Sequence, residues 1–220
     1  MTELQVDLAR LNMVHSQVRG WDVIDQRVME VLAAVPRESF VPVRCRNFAF
    51  ADMQLPLEHG QVMMEPKLEG RMLQALDPQP HERVLEIGTG SGFITACLSR
   101  LAGHVTSVEI YTDLQSEAHA RLEAGGYTDI ELVTGDAAAG WEAGGPYDAI
   151  AITGSLPELH QGFHRSLRVG GRLFVIVGEF PVMEALLITR VDDNAWRTES
   201  LFDTSIPPLE NARRPIRFAL

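Results

Sequence analysis

Seven residues, Glu86-Ile87-Gly88-Thr89-Gly90-Ser91-Gly92, carry the strongest chemical pattern in this chain. They follow the apolar run RVLEI and precede GFITACLSRL, so the loop joins a buried strand to a helix. Glycines there let the backbone turn sharply and approach a ligand closely. Amides at the start of the helix can face a polar or anionic group. A dinucleotide loop needs G-x-G-x-x-G. Counted from Gly88 the last glycine falls on Phe93, and counted from Gly90 it falls on Thr95. A Walker lysine is also lacking. Three alternating glycines that fail both phosphate patterns suit a nucleoside without a polyphosphate. Two acids add to this. Glu109 closes HVTSVE, where it can accept both ribose hydroxyl protons, and Asp136 follows the strand IELVTG, where it can bond an adenine amino group. In an open sheet, ligands sit at the carboxyl ends of the strands.

The elements around these residues alternate. RVLEIG, HVTSVEI, IELVTG, YDAIAITG and RLFVIVG read as strands. GFITACLSRLAG, YTDLQSEAHARLEAGG and SLPELHQGFHRSLRVGG read as helices, the last two opened by capping boxes of Thr112 with Gln115 and Ser155 with Glu158. This alternation predicts an α/β doubly wound, mostly parallel sheet covered on both faces. EALLITRV and RTESLFDTSI lack a helix between them and predict an antiparallel edge. Before residue 80 the pattern is mostly helical, which predicts a cap region over 1–80 and a ligand-binding domain over 81–220. Leu4, Leu8, Leu11, Val14 and Val18 mark one face of a first helix, Asp25 caps a second, and Pro66 sits in the first turn of EPKLEGRMLQAL.

Nineteen Lys and Arg stand against thirty Asp and Glu, a formal net charge of −11. That balance argues against DNA, RNA or an anionic membrane as partner. No apolar run is long enough to span a bilayer and the N-terminus is not a signal peptide, so a cytoplasmic protein is expected. Cys45 and Cys97 are far apart and read as reduced and buried. His160 and His164 lie four apart on a helix without a third ligand, and no metal is expected. Trp21, Trp141 and Trp196 read as packing residues.

Taken in order, E-x-G-x-G-x-G, the acid ending the second strand and the GDA ending the third resemble class I S-adenosylmethionine-dependent methyltransferases. GQ with a proline five residues on, VLEIGTGSGF, GDAAAGW, PYDAIAITGS and GGRLFVIVG narrow the resemblance to the protein-L-isoaspartate O-methyltransferase family. AVPRESFVP and IPPL fit it too, so the likeness runs from about residue 10 to residue 210. It implies a Rossmann-like sheet with an N-terminal helical cap, and carboxyl methylation of isoaspartyl residues in damaged proteins, the first step of repair. It further implies S-adenosyl-L-methionine as cofactor. Gly88, Gly90 and Gly92 would shape its loop, together with Glu86, Thr89 and Ser91. Glu109, beside Ile110, would hold the ribose, Asp136 and Ala137 would border the adenine, and Thr153 with Gly154 would line the floor. Gln61 and Met64 would cover the methyl group from the cap.

The missing chemistry agrees with that reaction. A carboxylate is already ionised at neutral pH, with a reference pKa near ~4, so its methylation calls for no general base. Alignment and exclusion of water suffice. One segment departs from the family. Its members usually read G-x-T-I-S-x-P, whereas here Val62, Met63 and Met64 replace Thr, Ile and Ser. Glu69 adds an acid nearby. The lost hydroxyl and added charge predict poorer reception of an acidic substrate. Three rivals follow: the same fold with another protein or small-molecule acceptor, a cofactor-holding relative without turnover, and a nicotinamide oxidoreductase, against which Phe93 argues.

Overall fold

The chain begins with its cap. In the computed structural model, which describes residues 2–214, α1 (Glu3–Asn12) opens on a capping box between Thr2 and Gln5. It continues into a wider π-helical turn over Met13–Val18 and a 3₁₀ turn over Arg19–Trp21. The apolar face expected over residues 4–18 is therefore split. Met13, Val14 and Val18 are buried, while Leu4, Leu8 and Leu11 remain exposed. Asp25 caps α2 (Gln26–Ala34), as its position predicts, by accepting from the amides of Arg27 and Val28. A single helical turn, α3 (Arg37–Phe40), follows Pro36. The chain then forms two 3₁₀ turns, Val43–Phe48 and Glu58–Gly60, and the short antiparallel pair β1 (Leu55–Pro56) and β2 (Val62–Met63). Then α4 (Pro66–Leu76) starts on its proline, where the missing N–H costs nothing.

The sheet strands are β3 (Arg83–Ile87), β4 (His104–Glu109), β5 (Ile130–Thr134), β6 (Tyr147–Leu156), β7 (Leu167–Glu179), β8 (Val182–Asp192) and β9 (Ala195–Thr204). Their order is β5-β4-β3-β6-β7-β8-β9, parallel from β5 to β7 and antiparallel beyond. The expected sheet and its antiparallel edge are both observed. The intervening helices are α5 (Phe93–Leu101), α6 (Thr112–Ala124) and α7 (Gln161–Ser166). The order reverses between β3 and β6, and the crevice at such a switch point is where open sheets hold ligands.

Neither predicted capping box in this half forms. Thr112 belongs to α6 itself, which Tyr111 precedes without a side-chain cap, and Gln115 instead accepts from Thr134. Ser155 lies inside β6, which runs past it to Leu156. Its hydroxyl donates to the Ile206 carbonyl at 2.8 Å, because the segment after β9 pairs with this strand end. The helix then shrinks to six residues capped by His160, which accepts from the Gly162 amide.

Two apolar clusters flank the sheet. Strand alternation sends Leu85, Ile87, Ile150, Ile152, Leu173 and Val175 to one side. Val84, Ala149, Ala151, Phe174 and Ile176 face the other, where they share a cluster with α2, α4, α5 and the turn at 13–18. Each fully buried Leu, Val or Phe there contributes on the order of 1.5–3 kcal/mol. The approach of α4 to that turn is closest at Gly70, where an added Cβ would lie 2.6 Å from Val18 Cγ1 and 3.1 Å from Val23 Cγ2. Gly70→Val is therefore expected to destabilise the protein by about 2–3 kcal/mol through overpacking, measured as a lower urea midpoint at unchanged slope.

Candidate functional site

Two adjoining cavities open where β3, β4 and β6 end. The outer one is lined by Gly88 and Gly90, by Glu109 and Ile110, by Asp136 and Ala137, and by Thr153 and Gly154, with Gln61 entering from the cap. The inner one is lined by Met63, Met64, Glu69, Glu86, Thr89, Ser91 and Ile94. Gly88, Gly90, Val62 and Thr153 border both. The structure thus brings together every predicted site residue except Gly92. That glycine starts α5 with φ +86°, and a Cβ there would lie 3.1 Å from Ala118 Cβ, so it serves the packing of α5 on α6.

The glycine loop is held by side chains at the strand ends. Glu109, 5% exposed, accepts from the Gly90 amide at 2.8 Å and from the Tyr111 amide at 3.1 Å, one bond on each oxygen. A carboxylate has about four acceptor positions, so it retains capacity for a diol. The Thr153 hydroxyl lies 2.7 Å from the Gly88 carbonyl and 2.9 Å from that of Ile87. A Cβ on Gly88, whose φ is +93°, would lie 2.4 Å from that hydroxyl. Asp136 is exposed, accepting from the Ala138 amide and, at 2.9 Å, from Asn211 Nδ2.

Glu86 is fully buried on the cap side of β3. One of its oxygens accepts from Thr95 Oγ1 at 2.5 Å and from Ser107 Oγ at 2.6 Å, and Ser107 in turn lies 2.6 Å from the Thr89 hydroxyl. Burial pushes its carboxyl up to about 8, against the opposing hydroxyl bonds.

Sequence reasoning missed Arg37. This side chain is fully buried, and its guanidinium donates to the Ala49 carbonyl at 2.9 Å, to the Met64 carbonyl at 2.7 Å, and to Glu69. It also sits over the Phe93 ring, 4.9 Å from its centre. The Glu69 carboxylate is thus no free charge at a mouth, as the added acid predicts, but half of an interior ion pair. Burial pushes its carboxyl up and Arg37 opposes the shift. The only hint in the sequence was AVPRESFVP, where Arg37, Glu38 and Ser39 stand between apolar residues. Met63 and Met64, 4% and 3% exposed, both belong to the core and both border the inner cavity.

A clasp closes the outer cavity. The His59 ring stacks on Tyr111, 3.9 Å between centres and 6° from parallel, while its Nε2 lies 2.8 Å from Asp113. The Tyr111 hydroxyl donates to Glu210 at 2.9 Å. The cap, the end of β4 and the segment after β9 therefore meet over the opening, with Leu209 set against Gly154. His160 and His164 do not face this site. His164 packs edge-on against Trp196, and no grouping of three metal-ligating side chains occurs among the described residues.

Sheet order, glycine loop and strand-end acids define a Rossmann-like methyltransferase. Known proteins agree. The family described as protein-L-isoaspartate(D-aspartate) O-methyltransferase matches residues 10–210. Protein-L-isoaspartate O-methyltransferase 1 of Rhodopseudomonas palustris (strain HaA2) is 39% identical over 91% of this chain and 82% of its own. The corresponding enzyme 2 of Pelobacter propionicus is 38% identical over 91% and 89%. A crystal structure from Plasmodium falciparum, described as a putative protein-L-isoaspartate O-methyltransferase in complex with S-adenosyl-L-homocysteine, superposes with a TM-score of 0.79 at 19% identity, covering 91% of this chain and 98% of that one. The chain belongs to the protein-L-isoaspartate(D-aspartate) O-methyltransferase family.

Two measurements test this account of the site. An acid whose folded pKa lies above its unfolded one costs stability as pH rises between the two values. For Glu86 that window runs from 4.5 to about 8. Glu86→Gln removes the cost, so its stability relative to the parent should grow between pH 5 and pH 8 by on the order of a few kcal/mol, read by denaturant titration at each pH. Arg37→Met strands the Glu69 charge and should lose about 3–5 kcal/mol, whereas Arg37→Met/Glu69→Met should stay folded and recover at least half of that.

Proposed function

We propose that this chain transfers a methyl group from S-adenosylmethionine to the carboxylate of isoaspartyl residues in proteins and peptides. The observation that carries this reading is the pairing of Glu109 with the glycine loop in the wall of the outer cavity. Spare acceptor capacity on Glu109 suits the two ribose hydroxyls. Asp136 and Ala137 suit the adenine edge, and Gly88 and Gly90, both at positive φ, bring the loop backbone to the cavity wall. Thr153 and Gly154 form the floor. Bound there, S-adenosylmethionine supplies a methyl group on a positive sulfur, open to in-line displacement by an oxygen.

The chain's own residues position and exclude. Gln61 and Met64 approach from the cap, on the side where the acceptor enters. Met64 presents thioether and methylene where its relatives offer a hydroxyl, so it contributes a dry wall and no hydrogen bond. An acceptor that is already ionised needs no base, and dryness strengthens the attraction between a carboxylate and a sulfonium. Pairing with Arg37 removes the net charge that Glu69 would otherwise set against the substrate. The segment before about residue 80 acts as the lid of the acceptor site, and its clasp at His59 closes over the nucleoside.

An isoaspartyl peptide incubated with methyl-labelled S-adenosylmethionine should yield base-labile methyl ester, with none from the matching aspartyl peptide. Glu109→Ala should weaken cofactor binding by at least tenfold, from the loss of charge-assisted bonds of about 1.5–3 kcal/mol. Met64→Ser should lower KM for the peptide by restoring a donor at the acceptor mouth. Cofactor binding without ester formation would instead favour a relative that lacks this acceptor.

A further inference from the structure

Asp136 is the exposed acid in the wall of the outer cavity, and a residue from the far end of the chain holds it. One of its oxygens accepts from the Ala138 amide at 3.0 Å, a bond made within its own loop. The other accepts from Asn211 Nδ2 at 2.9 Å, across 75 residues of sequence. Rotation of a carboxyl group about its last bond is soft, so one hydrogen bond leaves its plane free to turn. A second bond on the opposite oxygen fixes that plane. A carboxylate only accepts, so Asn211 must present the NH₂ side of its amide. Asn211 does not line the outer cavity itself. It borders the neighbouring hollow with Gly60, Gln61 and Leu209, behind the acid that it holds.

The backbone that carries Asn211 is tied down on both sides. The Leu209 amide donates to the Ser155 carbonyl at 2.9 Å, and the Ala212 amide donates to the Leu209 carbonyl at 3.2 Å. Between them Glu210 accepts from the Tyr111 hydroxyl. The turn sets Asn211 at φ +59°, a left-handed conformation that asparagine tolerates better than most residues. The residue falls just beyond the stretch 10–210 that matches the family.

We propose that Asn211 is a positioning residue for base recognition: by donating to Asp136 it turns the remaining acceptor positions of that carboxylate toward the amino group of adenine, and so sets the preference for adenine over a base with a carbonyl in that place. This rests on the S-adenosylmethionine reading above. Each oxygen of Asp136 keeps an acceptor position after these two bonds. Adenine brings a donor to it through its exocyclic amino group. Hypoxanthine carries a carbonyl oxygen there and sets acceptor against acceptor. A site that hydrogen-bonds an N–H of its ligand rejects the analogue lacking it, because its own polar group is left unpaired. That rejection requires the carboxylate to face the base, which is what Asn211 secures.

Calorimetric titration of the full chain with S-adenosylhomocysteine and with S-inosylhomocysteine, its hypoxanthine counterpart, tests this. The parent protein should bind the adenine compound at least about tenfold more tightly. Asn211→Asp keeps the size and the left-handed turn but sets a second acceptor against Asp136, and Asn211→Gly keeps the turn and removes the bond. Each should cut the preference by at least about threefold, mainly by weakening the adenine compound. In an Asp136→Ala background, adding Asn211→Asp should leave the remaining preference unchanged. If Asn211 only braces the backbone, its variants weaken both compounds alike and the ratio stays at the parent value, which overturns the proposal. A further fall of the ratio in Asp136→Ala/Asn211→Asp overturns it as well, since Asn211 would then act without the acid. Equal affinities in the parent overturn base recognition by this pair while leaving the cofactor reading intact. No heat with either compound overturns both.

Discussion

The site depends on a single buried cation. The Arg37 guanidinium ties together the Ala49 carbonyl, just past the 3₁₀ turn Val43–Phe48, the Met64 carbonyl, the Glu69 carboxylate and the face of Phe93. Three of these lie in the cap and the fourth begins α5, the helix that follows the glycine loop. A charged group held dry tolerates little displacement, because each lost bond leaves an uncompensated charge or carbonyl. Its geometry therefore fixes the height of the 61–65 segment above the loop. The same bonds explain how an acid can stand at position 69 in the interior, since it completes the arginine's coordination.

The sheet supplies the second constraint. Period-two alternation sends Val84 and Glu86 to the cap face and Leu85 and Ile87 to the other. An acid in that pattern must either be bonded or stay protonated, and Glu86 does some of each. The small polar residues around it, Thr89, Thr95 and Ser107, form a connected hydroxyl network in the glycine loop, on α5 and on β4. These positions read as unremarkable in the sequence, yet they decide the polarity of the inner cavity.

Much of the fold was legible in the chain. The strand runs, the helix cap at Asp25, the proline start of α4 and the antiparallel edge all follow from local pattern, and each is present. The glycine loop and the acids at 109 and 136 were legible for a different reason, because strand-end chemistry lies next in sequence to the strand that positions it. What stayed hidden depends on distant partners. Thr112 and Ser155 carry capping-box spacing, but Gln115 finds Thr134, and Ser155 finds the backbone near 206. Leu4, Leu8 and Leu11 keep helical spacing while the π turn rotates their face away from the core that receives Val14 and Val18. Arg37 and Glu69 are 32 residues apart, and neither announces the other.

The segment that follows β9 has a temporal meaning. Leu209 and Glu210 belong to the wall of the outer cavity, and the backbone from Ile206 to Leu209 docks on Ser155. During synthesis the sheet strands that hold the glycine loop emerge well before these residues do. A nascent chain can thus assemble its loop and acids while one side of the chamber is still missing. The last wall of that cavity is added late, by a stretch that contributes no strand of its own to the sheet.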